Sequence, residues 1–153
     1  MARKTWQEKL EGNPDLPRIQ VLTDPEQIRR YGGERMLITS PKDCYRIMKR
    51  IPEGRVLTAE RLRELLARDM GADFTCPLTV GIFINIAAQA AVEMKDGDMP
   101  YWRTLKKEGM LNEKLPGRIQ EQAARLRAEG LTVVCRGKNH YVRDYERHLV
   151  AID

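Results

Sequence analysis

Apolar positions recur at helical spacing in five stretches of the chain, and each stretch is punctuated by a recognisable start or stop. Thr23-Asp24-Pro25-Glu26 predicts a short helix that ends at Gly32-Gly33. Ser40-Pro41-Lys42-Asp43 predicts a second, running to about residue 50, with a Ser cap, Pro at the first helical position and an acid in the first turn. Its apolar side is Tyr45, Ile47 and Met48. After the turn Ile51-Pro52-Glu53-Gly54, residues 55–57 predict a brief strand. Thr58 then caps a helix carrying Leu62, Leu65 and Leu66 and closed by Gly71. Cys76-Pro77 opens the fourth, capped by Thr75 or Cys76, with Val80, Phe83, Ile84 and Ala87 as its buried stripe. This segment is β-branched enough that a strand competes with the helix. The fifth runs from Arg118 to Glu129, with Ile119, Ala123 and Leu126 inward and Gly130 as its stop.

Extended chain is expected elsewhere. Residues 1–22 hold no long periodic run, and Gly12-Asn13-Pro14 and Leu16-Pro17 favour turns, so they read as an arm packed through Trp6, Leu10 and residues 19–21. Residues 36–39 predict a short extended link. Residues 99–105, Met-Pro-Tyr-Trp-Arg-Thr-Leu, predict an edge strand entering a hairpin with Met110-Leu111 across the turn at Glu108-Gly109. A second hairpin is expected from residues 131–135 and 140–142 around Arg136-Gly137-Lys138-Asn139. Two helices joined by a short Gly-containing turn, then a hairpin, outline a winged helix-turn-helix.

Composition narrows the class. A chain of 153 residues, 42% apolar and 32% charged, is one globular domain with or without an arm. No apolar run has the length of a membrane span, and the first ten residues lack the apolar centre of a signal peptide, so the expected location is the cytoplasm with no membrane partner. Three cysteines, Cys44, Cys76 and Cys135, read as buried structural thiols, and two histidines near the C-terminus give no metal-ligand spacing; no cofactor is expected. The net charge is +5 and unevenly spread. Residues 1–50 hold 11 basic and 7 acidic groups, residues 51–100 hold 5 and 8, and residues 101–150 hold 11 and 6. A basic surface suits a polyanion, yet residues 77–94 contain no Lys or Arg at all.

The order of landmarks is more specific. Ile51-Pro52-x-Gly54-x-Val56, a capped helix, a second helix with Val80-Gly81, Pro100-x-x-Arg103, a basic-Gly turn, and a helix ending in Ala128-Glu129-Gly130 follow one another. This succession resembles the C-terminal DNA-binding domain of the 6-O-alkylguanine-DNA alkyltransferases and the alkyltransferase-like proteins, over roughly residues 43–132. The chain reads as α+β and mainly helical: the resemblance implies a winged helix-turn-helix over residues 41–132, and the residues' own pattern sets an N-terminal arm and short helix (1–40) before it and a C-terminal β-hairpin and tail (133–153) after it. It implies double-stranded DNA, alkylated or not, as partner, other repair proteins as recipients of the lesion, and base flipping, because the reactive atom is inaccessible in a stacked duplex.

In the enzymes the acceptor cysteine lies in Pro-Cys-His-Arg. The matching residues here are Pro100, Tyr101, Trp102 and Arg103, so the resemblance implies a base pocket without an acceptor thiol and no alkyl transfer. The family's base-rotating Tyr matches Ala59 and its intercalating Arg matches Leu78, followed by Thr79. Thr58 matches a small hydroxyl that meets phosphate, and Asn85 lies two positions from the family's hinge Asn. Arg103, Lys106, Lys107, Lys114 and Arg118 would edge the wing. Two functions stay open: a non-catalytic DNA-binding protein that recognises damaged bases, or a protein-interaction module on a scaffold that has lost DNA. Tyr101 and Trp102 are likewise either pocket walls or core aromatics.

Overall fold

The computed structural model describes residues 4–151; the outermost residues assigned to the arm and tail, 1–3 and 152–153, lie outside it. Among the described residues six α-helices form: α1 (Trp6–Glu11), α2 (Pro25–Tyr31), α3 (Pro41–Met48), α4 (Ala59–Met70), α5 (Pro77–Glu93) and α6 (Arg118–Ala128). The sequence signals act where expected. Asp24, Ser40 and Thr58 accept hydrogen bonds from backbone N–H groups of the first turns of α2, α3 and α4. Gly32 and Gly71 take the left-handed conformation that ends α2 and α4.

The competition over residues 77–93 resolves in favour of helix. Pro77 sits at the first helical position, and α5 turns a face of Val80, Ile84, Ala87, Ala88, Ala90 and Ala91 into the core. The four alanines let α1 and α3 approach closely, which a β-branched strand surface would not permit. Phe83, expected within the stripe, is only partly buried.

The arm is more ordered than its sequence suggests. The carboxylate of Glu93, at the end of α5, accepts from the backbone N–H groups of Trp6 and Gln7 at 3.2 and 3.0 Å. Leu10, on the inner face of α1, is buried, while Val21 is exposed. Strand β1 (Arg18–Val21) pairs antiparallel with β2 (Arg35–Ile38), which pairs parallel with β4 (Phe74–Thr75). A second, two-stranded sheet joins β3 (Leu57–Thr58) to β5 (Thr104–Leu105) in parallel, and a third joins β6 (Val133–Arg136) to β7 (Asn139–Val142) in antiparallel. Val56 lies just before β3 and bridges to Leu149, tying the C-terminal tail to the core.

The expected wing hairpin does not form. Residues 101–103 are a 3-10 turn, β5 pairs with β3, and Met110 bridges instead to Tyr141 of β7. A single backbone bond, from Lys106 N–H to the Met110 carbonyl at 2.8 Å, crosses the turn, and a fully buried glutamine engages the rest. Gln122 of α6 donates from Nε2 to the carbonyls of Trp102 and Thr104 at 3.0 and 3.3 Å and accepts from Asn112 N–H at 2.8 Å. One side chain thereby satisfies backbone groups that a hairpin ladder would otherwise pair. Of the three cysteines only Cys44 is a buried thiol, its pKa pushed up by burial; Cys76 is half-buried and Cys135 exposed.

Candidate nucleic-acid interface

The helix-turn-helix pair α4–α5 leaves one end of α5 uncovered. Leu78 is 80% exposed and Ile82, one turn later, 59% exposed. Large aliphatic side chains this open to water, adjacent on one helix face, are not required by the fold. Beside them runs a groove of about 330 Å³ between the start of α4, α5 and the segment 104–114. Pro77, Val80, Gly81 and Ile84 form its apolar floor, and Arg63, Lys106, Lys107 and Lys114 stand along its walls. The cations missing from α5 are therefore supplied by its neighbours. Glu60 and Glu113 share the groove, and Glu113 accepts from Lys106 at 3.4 Å. Arg63 follows Ala59 by one turn on α4, so helical spacing from Ala59 would have located it.

The other expected contacts divide. Ala59, Lys106 and Lys107 meet in this groove. Thr58 is buried, and its hydroxyl oxygen accepts from Arg61 N–H at 3.2 Å, so it serves as a helix cap. Thr79 is half-buried and donates to the Cys76 carbonyl at 3.3 Å. Asn85 lies apart, bonded to Gln89 at 3.4 Å in a shallow cavity with Lys114 and Arg118.

The Pro100-Tyr101-Trp102-Arg103 segment splits as well. Tyr101 and Trp102 pack in the core, yet their remaining exposed edges line a cavity of about 430 Å³ with Met99, Pro116, Gly117 and Arg125. The rings meet edge to face, centroids 5.3 Å apart, and the Arg125 guanidinium lies 4.7 Å from the Trp102 centroid. Tyr101 donates its hydroxyl hydrogen to the Pro116 carbonyl at 3.2 Å. Burial, and then the charge of Glu121, raise its pKa above the ordinary phenol value. Pro100 is buried and does not line the cavity.

Arg103 is neither a wing-edge contact nor part of the cavity lining. Its side chain is 13% exposed and that of Glu129 6%. Its Nε donates to both carboxylate oxygens of Glu129 at 2.9 and 3.0 Å, Nη2 to Oε2 at 2.7 Å, and Nη1 to the Ile51 carbonyl at 2.6 Å. Glu129 also accepts from the Trp102 indole N–H at 2.8 Å and from Gly54 N–H at 3.0 Å. Burial alone would raise the Glu129 pKa; the bonds from Arg103, Gly54 and Trp102 outweigh it and hold the carboxylate below its ordinary range. This carboxylate, unassigned by the sequence beyond a landmark, fastens the aromatic segment to α6 and to the turn before β3. A further fastening lies at the far side of the cavity, where the hydroxyl of Tyr45 and Lys49 of α3 both bond to Asp96 in the loop after α5.

Among the described residues, no helix is long and apolar enough to cross a membrane, and no cluster of three metal-ligating side chains occurs. No family model matches the chain, and no curated protein matches it. Two solved structures resemble it. One is Schizosaccharomyces pombe Atl1 in complex with damaged DNA containing O6-carboxymethylguanine, 18% identical with a TM-score of 0.52, covering 73% of this chain and 94% of that one. The other is the S. pombe ATL protein in complex with DNA, 19% identical with the same TM-score and coverage. At these identities the likeness is one of fold, and it accords with a winged-helix, alkyltransferase-like architecture for this chain.

Proposed function

We propose that this protein binds double-stranded DNA through α5 and the adjoining groove, as a non-catalytic alkyltransferase-like protein that receives damaged bases. The observation that carries this reading is the pair Leu78 and Ile82, projecting from α5 beside a groove walled by Arg63, Lys106, Lys107 and Lys114. Apolar wedges unstack base steps, and flanking cations neutralise phosphate. The same fold in S. pombe Atl1 has been seen with DNA containing O6-carboxymethylguanine.

In this reading a flipped base enters the cavity at Tyr101 and Trp102, whose volume lies within the span of about 300–1,000 Å³ typical of ligand pockets. Alkyl transfer does not follow. Tyr101 occupies the place of the acceptor, its proton is held by the Pro116 carbonyl, and its pKa is raised by burial and by Glu121. Arg103 serves the pocket from behind, by holding Trp102 in place through Glu129.

The test is titration of a fluorescent duplex, with and without one 6-O-methylguanine, at two salt concentrations. Tighter, salt-sensitive binding to the modified duplex is expected, and it weakens in Leu78→Ala and Ile82→Ala. Both positions are exposed, so each variant should keep its stability within ~0.5 kcal/mol. Equal binding to both duplexes would leave a general DNA binder. No binding at low salt would overturn the proposal and favour an apolar protein partner on the Leu78–Ile82 face, whose affinity would change little with salt.

A further inference from the structure

A second cleft, of about 760 Å³, adjoins the groove beside α5. It opens between α2, the middle of α4 and β4. Tyr31 stacks on Phe74 at its floor, ring centroids 5.0 Å apart and planes 13° from parallel. Three guanidiniums line it: Arg30 from α2, and Arg63 and Arg68 from α4. None of the three forms an ion pair among the described residues.

Three carboxylates also line the cleft, and two are already engaged. Glu64 pairs with Arg61 at 2.9 Å, and Asp73 accepts from the backbone N–H groups of Glu34 and Arg35 at 3.1 and 3.0 Å. Among the described residues, Glu60 has no such partner. The cleft is also continuous with the groove beside α5, because Glu60, Arg63 and Pro77 line both. Arg63 thus stands where the two meet, and Arg68 follows it by five residues, about 7.5 Å further along α4.

We propose that this cleft is a second DNA-backbone contact, in which Arg30 and Arg68 take phosphates of the duplex flanking the segment held by α5. It rests on the DNA-binding reading and extends it to a surface built partly by α2, which is not an element of the helix-turn-helix. A planar guanidinium presents two donors to one phosphate, and the three that line this cleft, none of them in an ion pair among the described residues, are donors that a phosphate would satisfy. The stacked Tyr31–Phe74 floor fixes the end of α2 against β4 and so fixes where Arg30 stands.

Salt dependence supplies the test, since each phosphate contact contributes about 0.9 to the slope of log affinity against log salt. The double variant Arg30→Gln/Arg68→Gln should bind an unmodified duplex several-fold more weakly, with a slope shallower by about two. The control is Lys138→Gln/Arg143→Gln, which removes the same charge from exposed positions of the C-terminal hairpin region, outside both cleft and groove. Its slope should match the unaltered protein. Equal loss in both double variants would mean a general field effect and overturn the contact. An unchanged slope in the cleft variant alone would also overturn it, while the Leu78→Ala result would still support DNA on α5. Absence of any duplex binding by the unaltered protein would sink both.

Discussion

Replacing Glu129 by Ala should destabilise the protein strongly, because it strands a buried cation. Arg103 has three of its nitrogens committed, two of them to this carboxylate, and its side chain is only 13% exposed. Breaking a buried pair from one side costs roughly 3–5 kcal/mol. For a domain of this size, where 1 kcal/mol shifts Tm by about 2–4 °C, the loss is roughly 6–20 °C. The Trp102 indole N–H and the Gly54 N–H lose their acceptor at the same time. The double variant Arg103→Met/Glu129→Met removes both charges and should recover most of the loss, since apolar replacement of a whole buried pair is often neutral or better. Thermal and urea unfolding followed by circular dichroism measure all three proteins. Acid titration adds an independent reading. The native Glu129 pKa lies below its unfolded value, so its contribution is complete above the ordinary carboxylate range and fades as pH falls through the native value. The Ala variant should therefore lose less stability between neutral and acid pH than the unaltered protein. A loss under about 1 kcal/mol in Glu129→Ala, or a double variant no more stable than Glu129→Ala, would refute the hub described here.

Gln122→Leu should cost ~1–3 kcal/mol for each backbone group it leaves unsatisfied, and hydrogen exchange should rise first at Asn112, whose N–H it caps. Gly109→Ala should destabilise by ~1–3 kcal/mol, because residue 109 has φ +80° and a Cβ there would lie 2.6 Å from the ring of Tyr145. An unchanged unfolding midpoint in that variant would mean that the 107–109 turn does not pack against residues 145–148 in solution.

Helices α2, α3, α4 and α6 were legible in the sequence because their determinants are local, whereas α1 was read as arm and α5 competed with a strand. A capping oxygen, a Pro at the first helical position and a left-handed Gly act within one turn, so Ser40-Pro41, Thr58 and Gly71 mark boundaries without reference to the rest of the chain. The order of landmarks likewise pointed to the winged-helix architecture. What local signals cannot carry is where a segment's polar groups find partners. Residues 99–105 read as a strand because Pro and alternating large residues suit an edge, but Gln122, some twenty positions later, takes their carbonyls and makes a turn of them. Arg103 read as a surface cation because its partner, Glu129, is 26 residues away. The absence of cations from α5 read as evidence against DNA, yet Arg63, Lys106, Lys107 and Lys114 reach the same groove from other elements. Sequence alone settled α2, α3, α4 and α6, because caps and periodicity act at short range. Only the tertiary structure decided which charges are buried, which are free and which face one another, because charges and buried polar groups choose partners by distance in space.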